Sequence, residues 1–143
     1  MCKFRCVVDT NVLFEGLTKK GGAAGLLVDV WLADALEVCV SNTLALEYAD
    51  VLPRKLSAAR WQRLGPVLGT LLEKACFVTI YYTWRPASPD PGDDHVIDCA
   101  MNAGAVVITS NLRDFQSARA SLGLQAITPV EAILHLTRGE DAL

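Results

Sequence analysis

Arg5-Cys6-Val7-Val8-Asp9-Thr10-Asn11-Val12-Leu13-Phe14 is the stretch on which the fold turns. Its first half is a short apolar run rich in β-branched residues, the pattern of a buried strand. The run stops at a carboxylate, Asp9, and Thr10 and Asn11 lead into a helical pattern. A strand that carries an acid to its own C-terminal end puts that acid where open α/β sheets hold their ligands. Every later acid can then be tested for whether it returns to Asp9.

Working outward, short apolar runs alternate with longer amphipathic ones, as in βαβ units around a parallel sheet. Strands are expected near Phe4 to Asp9, Leu36 to Val40, Cys76 to Tyr81, Ala105 to Thr109 and Gln125 to Ile127. The first helix starts at about Asn11 and ends at Lys19-Lys20-Gly21-Gly22. The second runs from Ala23 to Ala35, with Leu26, Leu27, Val30 and Trp31 on one face. A third starts after Ser41-Asn42 and is closed by Pro53. A fourth opens at Ser57 and reaches Lys74, with Gly65-Pro66 expected to break or kink it. A loop from Thr83 to Gly92 carries Pro86, Pro89 and Pro91, and a helix from Asp93 to Ala103 follows. Another helix runs from near Asn111 to Ser121, and Thr128-Pro129 starts the last one. Right-handed crossovers would bring Asp9, Ser41, Tyr81 and Thr109 to one sheet edge.

A chain of 143 residues, 52% hydrophobic, is expected to make a single globular domain over residues 1–143. Charges interrupt each apolar run well before it could span a bilayer, and Asp9 interrupts any apolar leader, so a cytoplasmic protein without membrane contact is expected. The net charge of −3 argues against a passive nucleic-acid coat protein. It leaves room for an enzyme whose acids surround a metal. The charges are segregated: Arg54, Lys55, Arg60 and Arg63 have no acid between them, and Asp90, Asp93, Asp94 and Asp98 have no Lys or Arg. Cys2, Cys6, Cys39, Cys76 and Cys99 form no C-x-x-C pair and read as small buried residues in a reducing compartment, not as a zinc site.

On a wheel of about 100° per residue, Val96, Ile97, Ala100 and Met101 lie in the direction of Asp93. Asp93 then tops the buried stripe, Asp94 lies to the side, and Asp98 lies toward solvent or in a supporting position. A carboxylate at a helix start is either an N-cap or an inward-pointing site residue. In the helix after the second strand, Leu44, Tyr48, Val51 and Leu52 form the apolar side. Glu47 flanks them and Asp50 faces away. Asn111 and Asp114 after the fourth strand read either as a capping box or as an amide and a carboxylate beside Asp9. Four acids from four elements at one edge would repel one another without a cation. Oxygen-only ligands select Mg²⁺ or Mn²⁺, and such ions serve phosphodiester hydrolysis.

Val8-Asp9-Thr10-Asn11-Val12-Leu13, Ser41 with Glu47, Asp90-Pro91-Gly92-Asp93-Asp94 with Ala100, and Thr109 with Asn111, Asp114 and Phe115 together resemble the PIN-domain family, in particular VapC-like toxin ribonucleases. The resemblance spans about Phe4 to Leu136. It implies an α/β three-layer sandwich, with a five-stranded parallel sheet of order 3-2-1-4-5 and helices on both faces. It implies a Mg²⁺- or Mn²⁺-dependent ribonuclease preferring single-stranded RNA, usually dimeric and inhibited by an antitoxin partner. Asp9, Glu47 and Asp93 match the first three acids of the family's site. Asp114 corresponds to the fourth in members that carry Asn at the position of Asn111, and Asp94 competes with Asp93 for the third place. Asn11 matches a supporting polar residue. Thr109 and Asn111 are expected to support the site as well, and Arg113, Arg54 and Lys55 to contact phosphates. Phosphoaspartyl enzymes also place an acid after the first strand. Here, however, Asn11 replaces their second Asp, and no Lys occurs from Val78 to Gln116. The remaining alternative is a PIN-type module that binds RNA or protein without cleaving.

Overall fold

The computed structural model describes residues 3–83 and 93–138. The elements run β1 (Arg5–Val8), α1 (Thr10–Thr18), α2 (Ala23–Leu32), β2 (Glu37–Val40), α3 (Asn42–Lys55), α4 (Ala58–Lys74) and β3 (Cys76–Phe77). After these come α5 (Asp94–Ala103), β4 (Val106–Ile108), a 3₁₀ turn (Leu112–Phe115), α6 (Gln116–Leu122), β5 (Ala126–Ile127) and α7 (Pro129–Thr137). The strands form one parallel five-stranded sheet in the order β3-β2-β1-β4-β5, as the resemblance implied. The order reverses at β1. Right-handed crossovers to its left and right therefore place helices on opposite faces.

β1 is central, and Cys6, Val7 and Val8 are buried there. A strand covered on both faces reads as a continuous apolar run, which is why Arg5 to Val8 lacks alternation. Ser41 caps α3 by accepting from the Leu44 N–H at 3.1 Å, and Ser57 caps α4 by accepting from the Arg60 N–H at 3.2 Å. Thr128 and Glu131 form a complete capping box on α7.

Several expectations are corrected. Pro53 lies inside α3, which continues to Lys55, and Pro66 lies inside an uninterrupted α4. Each proline removes one backbone donor, and burial of Leu52, Leu68 and Leu71 holds the flanking turns. Leu26 is exposed, whereas Leu27 and Trp31 are buried. The helix expected from Asn111 is split into a 3₁₀ turn and α6. The third strand ends at Phe77, not at Tyr81. The Asn102 side chain accepts from the Tyr81 and Tyr82 N–H groups at 2.9 and 3.2 Å and donates to the Tyr82 carbonyl at 2.8 Å. Asn102 lies in the last turn of α5, roughly 12 Å along the helix from its start. The proline-marked loop lies, from residue 84 to 92, outside the described residues.

Candidate active site

Register makes the first contact. Val8 pairs with Ile108, so Asp9 and Thr109 leave the sheet side by side. The Asp9 N–H donates to the Ile108 carbonyl at 3.0 Å, and the Thr109 N–H donates to the Ile127 carbonyl at 2.9 Å. With both backbones fixed, Thr109 Oγ1 donates to Asp9 Oδ2 at 2.9 Å. The same hydroxyl accepts from the Asn111 N–H at 3.0 Å. Asp9 is 6% exposed and Thr109 fully buried, so this hydrogen bond is shielded from water.

Two consecutive residues of α3 meet the segment around Asp9. Thr10 Oγ1 donates to Glu47 Oε2 at 2.6 Å, and the buried Tyr48 hydroxyl donates to the Val8 carbonyl. Burial of Leu44, Tyr48 and Leu52 sets the rotation of α3, and that rotation brings the half-buried Glu47 to its flank, as expected. Thr10 and Tyr48 are not among the candidate site residues of the sequence. A hydroxyl in the first turn after an acid-bearing strand was the available signal for Thr10. For Tyr48 the apolar pattern gave none.

Burial pushes the Asp9 carboxyl above the usual carboxylate range. The Thr109 hydroxyl and the Thr10 N–H oppose that shift, while the negative charges of Glu47 and Asp114 add to it. Glu47 and Asp114 therefore act on Asp9 through space. Asn111 Nδ2 donates to Asp114 Oδ2 at 2.6 Å, and the Asn111 side chain does not cap the 3₁₀ turn, so the capping-box alternative does not form.

Asp93 occupies the N-cap position of α5, is half-exposed, and makes no side-chain cap. Asp94 and Asp98 are buried, at 5% and 4% exposure. The solvent-facing alternative for Asp98 is excluded, because α5 packs against β1, β2 and β4 on one side and against α3 on another, which widens its buried arc beyond a stripe. Asn11 is exposed, and its side chain accepts from Lys55 Nζ at 3.0 Å. Lys55 also lies over the Phe14 ring at 5.2 Å. Arg54 pairs with Asp50 at 2.5 Å within α3, and Arg113 is exposed beside Asp114.

Carboxylate oxygens suit a hard divalent cation in kind. Among the described residues, no three His, Cys, Asp or Glu side chains converge closely enough to hold a metal as they stand. The donors fit such an ion in kind, and holding one would require them to draw together.

A family model described as "PIN domain" matches residues 5–113. No curated protein sequence matches the chain. Among solved structures the chain is similar to one of FitAB bound to the IR36 DNA fragment. The TM-score is 0.58 at 15% identity, covering 87% of this chain and 94% of the other. At that identity the likeness is one of fold. Among the described residues, no helix is long and apolar enough to cross a membrane.

Proposed function

The chain belongs to the PIN-domain family, and from that premise we propose that it is a Mg²⁺- or Mn²⁺-dependent endoribonuclease acting on single-stranded RNA, the toxin of a toxin–antitoxin pair. The observation that carries this reading is the state of Asp9. It is a buried carboxylate at the end of the central strand, raised in pKa by burial and by two further acids, and held by the Thr109 hydroxyl and the Thr10 N–H. A protein selected only for stability gains nothing from that arrangement.

Asp9, Glu47 and Asp93 would hold the cation, with Asp114 completing the group and Asp94 the competitor for the place of Asp93. A bound divalent ion supplies an acidified water and charge stabilisation for the leaving oxygen of a phosphodiester. Thr109 fixes the orientation of Asp9, and Thr10 fixes that of Glu47. Glu47 orients the attacking water. Asn111 positions Asp114, and Asn11 holds Lys55 near the site. Lys55, Arg54 and Arg113 contact phosphates; Arg54 exchanges its exposed pairing with Asp50 for the substrate at little cost. An antitoxin partner, a homodimer and a cytoplasmic location complete the proposal.

The test is cleavage of an unstructured RNA with Mn²⁺, comparing wild type with Asp9→Asn. Cleavage by wild type that the variant lacks supports the enzyme. RNA binding by both without cleavage by either establishes the non-cleaving module instead.

A further inference from the structure

On the β2–β3 side of the sheet the register sets two thiols side by side. Cys39 in β2 and Cys76 in β3 are Cα partners of adjacent parallel strands. Such partners lie about 4.8 Å apart, within the roughly 4.4–6.8 Å that a disulfide spans. Directly opposed residues of parallel strands present their side chains to the same face. Both cysteines are free.

The two thiols differ in access. Cys76 is half-buried and lines an open cleft of about 580 Å³ with Arg5, Glu37, Lys3 and Lys74. Cys39 is fully buried, and Arg5 Nη2 donates to its Sγ at 3.4 Å. Burial pushes the Cys39 thiol up, against the pull of Arg5, so Cys39 does not react first. Its position favours a second step, attack on a neighbour already activated. β3 is only two residues long and forms the sheet edge, so it can shift to meet the geometry of a bridge.

We propose that Cys76 and Cys39 form a reversible thiol–disulfide pair, with Cys76 the entry thiol, Cys39 the resolving thiol, and a small-molecule disulfide the oxidant. In the first step, the Cys76 thiolate attacks one sulfur of the reagent. The other half leaves with the bonding electrons and takes the proton Cys76 gave up. In the second step, Cys39 attacks Cys76 Sγ and the remaining half leaves as a thiol carrying the proton of Cys39. Two protein thiols are oxidised and one reagent disulfide is reduced to two thiols. The positive charge of Arg5 beside Cys39 favours the thiolate needed in the second step. Cys99 is a third thiol of the same region, but it sits on α5 with its sulfur held by the Ser41 N–H and has no strand register with either partner.

The experiment uses the full chain with Cys2→Ser, which removes the thiol outside the described residues, and oxidised glutathione as probe. Intact mass should fall by two hydrogens, a peptide map should join Cys39 to Cys76, and dithiothreitol should restore both thiols. Cys39→Ala should trap a stable glutathione adduct on Cys76, and Cys76→Ser should give neither adduct nor bridge. If Cys39→Ala does not fold, a time course in the Cys2→Ser protein serves instead, with an adduct on Cys76 rising and falling before the two hydrogens are lost. Persistence of all four remaining thiols, a bridge through Cys6 or Cys99, or a lasting adduct on Cys76 with Cys39 free overturns the proposal.

Discussion

The two ends of one sheet treat acids differently. At the N-terminal edge, Glu37 sits 3.0 Å from Arg5 and Asp34 sits 2.9 Å from Lys74. The hydrogen bond from Lys74 holds the Asp34 carboxyl below its usual range. At the C-terminal edge, Asp9 meets the Thr109 hydroxyl and the Thr10 N–H, Glu47 meets the Thr10 hydroxyl, and burial leaves Asp9 above its usual range. Among the described residues, one end pairs Glu37 and Asp34 with cations and the other meets Asp9 and Glu47 with hydroxyls. A hydroxyl orients a carboxylate without neutralising it, so the second arrangement keeps charge available for something brought from outside.

The harshest test of that contrast is Asp9→Asn. It should abolish metal-dependent RNA cleavage, and in metal-free buffer at neutral pH it should raise Tm rather than lower it. The sign follows from the raised pKa of Asp9. The folded state binds the Asp9 proton more tightly than the unfolded chain. Stability from this group is full below the unfolded value and is lost as pH rises through the folded one. The advantage of Asp9→Asn should therefore shrink on acidification through that window. Thermal scans across pH check this, and a lower Tm at neutral pH would show that Asp9 is a structural acid like Glu37.

Added cation gives the next largest effect. Mn²⁺ at a hundredfold excess over its Kd should stabilise wild type by about 2.7 kcal/mol, and Asp9→Asn should lose most of that shift. An equal shift in both proteins would move the metal away from Asp9. Thr109→Val is subtler. It keeps the buried volume but removes the donor to Asp9 and the acceptor for the Asn111 N–H. Cleavage or metal affinity should fall roughly 10- to 100-fold, as when a group that orients a ligand is lost, with the far-ultraviolet spectrum unchanged. Metal titration and kcat measurements on folded variant check it.

How much of this could be read from the residues depends on whether a feature is local. β1 and its acid were legible because a strand buried on both faces writes a continuous apolar run that Asp9 visibly ends. Ser41, Ser57 and Thr128 were legible as caps because capping chemistry lies within three residues. Asp98 was left between solvent and a supporting position because a wheel assumes one packed face, and α5 has more than one, which buries it. The third strand was overextended because Val78, Thr79 and Ile80 continue its β-branched pattern, while a side chain twenty residues away, Asn102, takes the backbone that follows. The bond from Thr10 to Glu47 links residues 37 apart and depends on the rotation of α3, which no local pattern encodes.

The smallest effect belongs at the other end of the sheet, and its smallness is the point. Glu37→Gln removes the charge facing Arg5, but both side chains are more than a third exposed, so solvent already screens the pair. Arg5 also keeps its contact with Cys39 Sγ. The expected cost is about 0.5 kcal/mol or less in urea unfolding, shrinking further with added salt, and cleavage and Mn²⁺ binding should be unchanged. A carboxylate met by a cation at the surface is replaceable because the interaction is nearly balanced by hydration. The Asp9 carboxylate has given up hydration without gaining a cation, so its replacement should change both Tm and function. If Glu37→Gln shifted stability as far as Asp9→Asn does, the difference between the two edges would reflect where the residues sit in the fold and not how their charges are compensated.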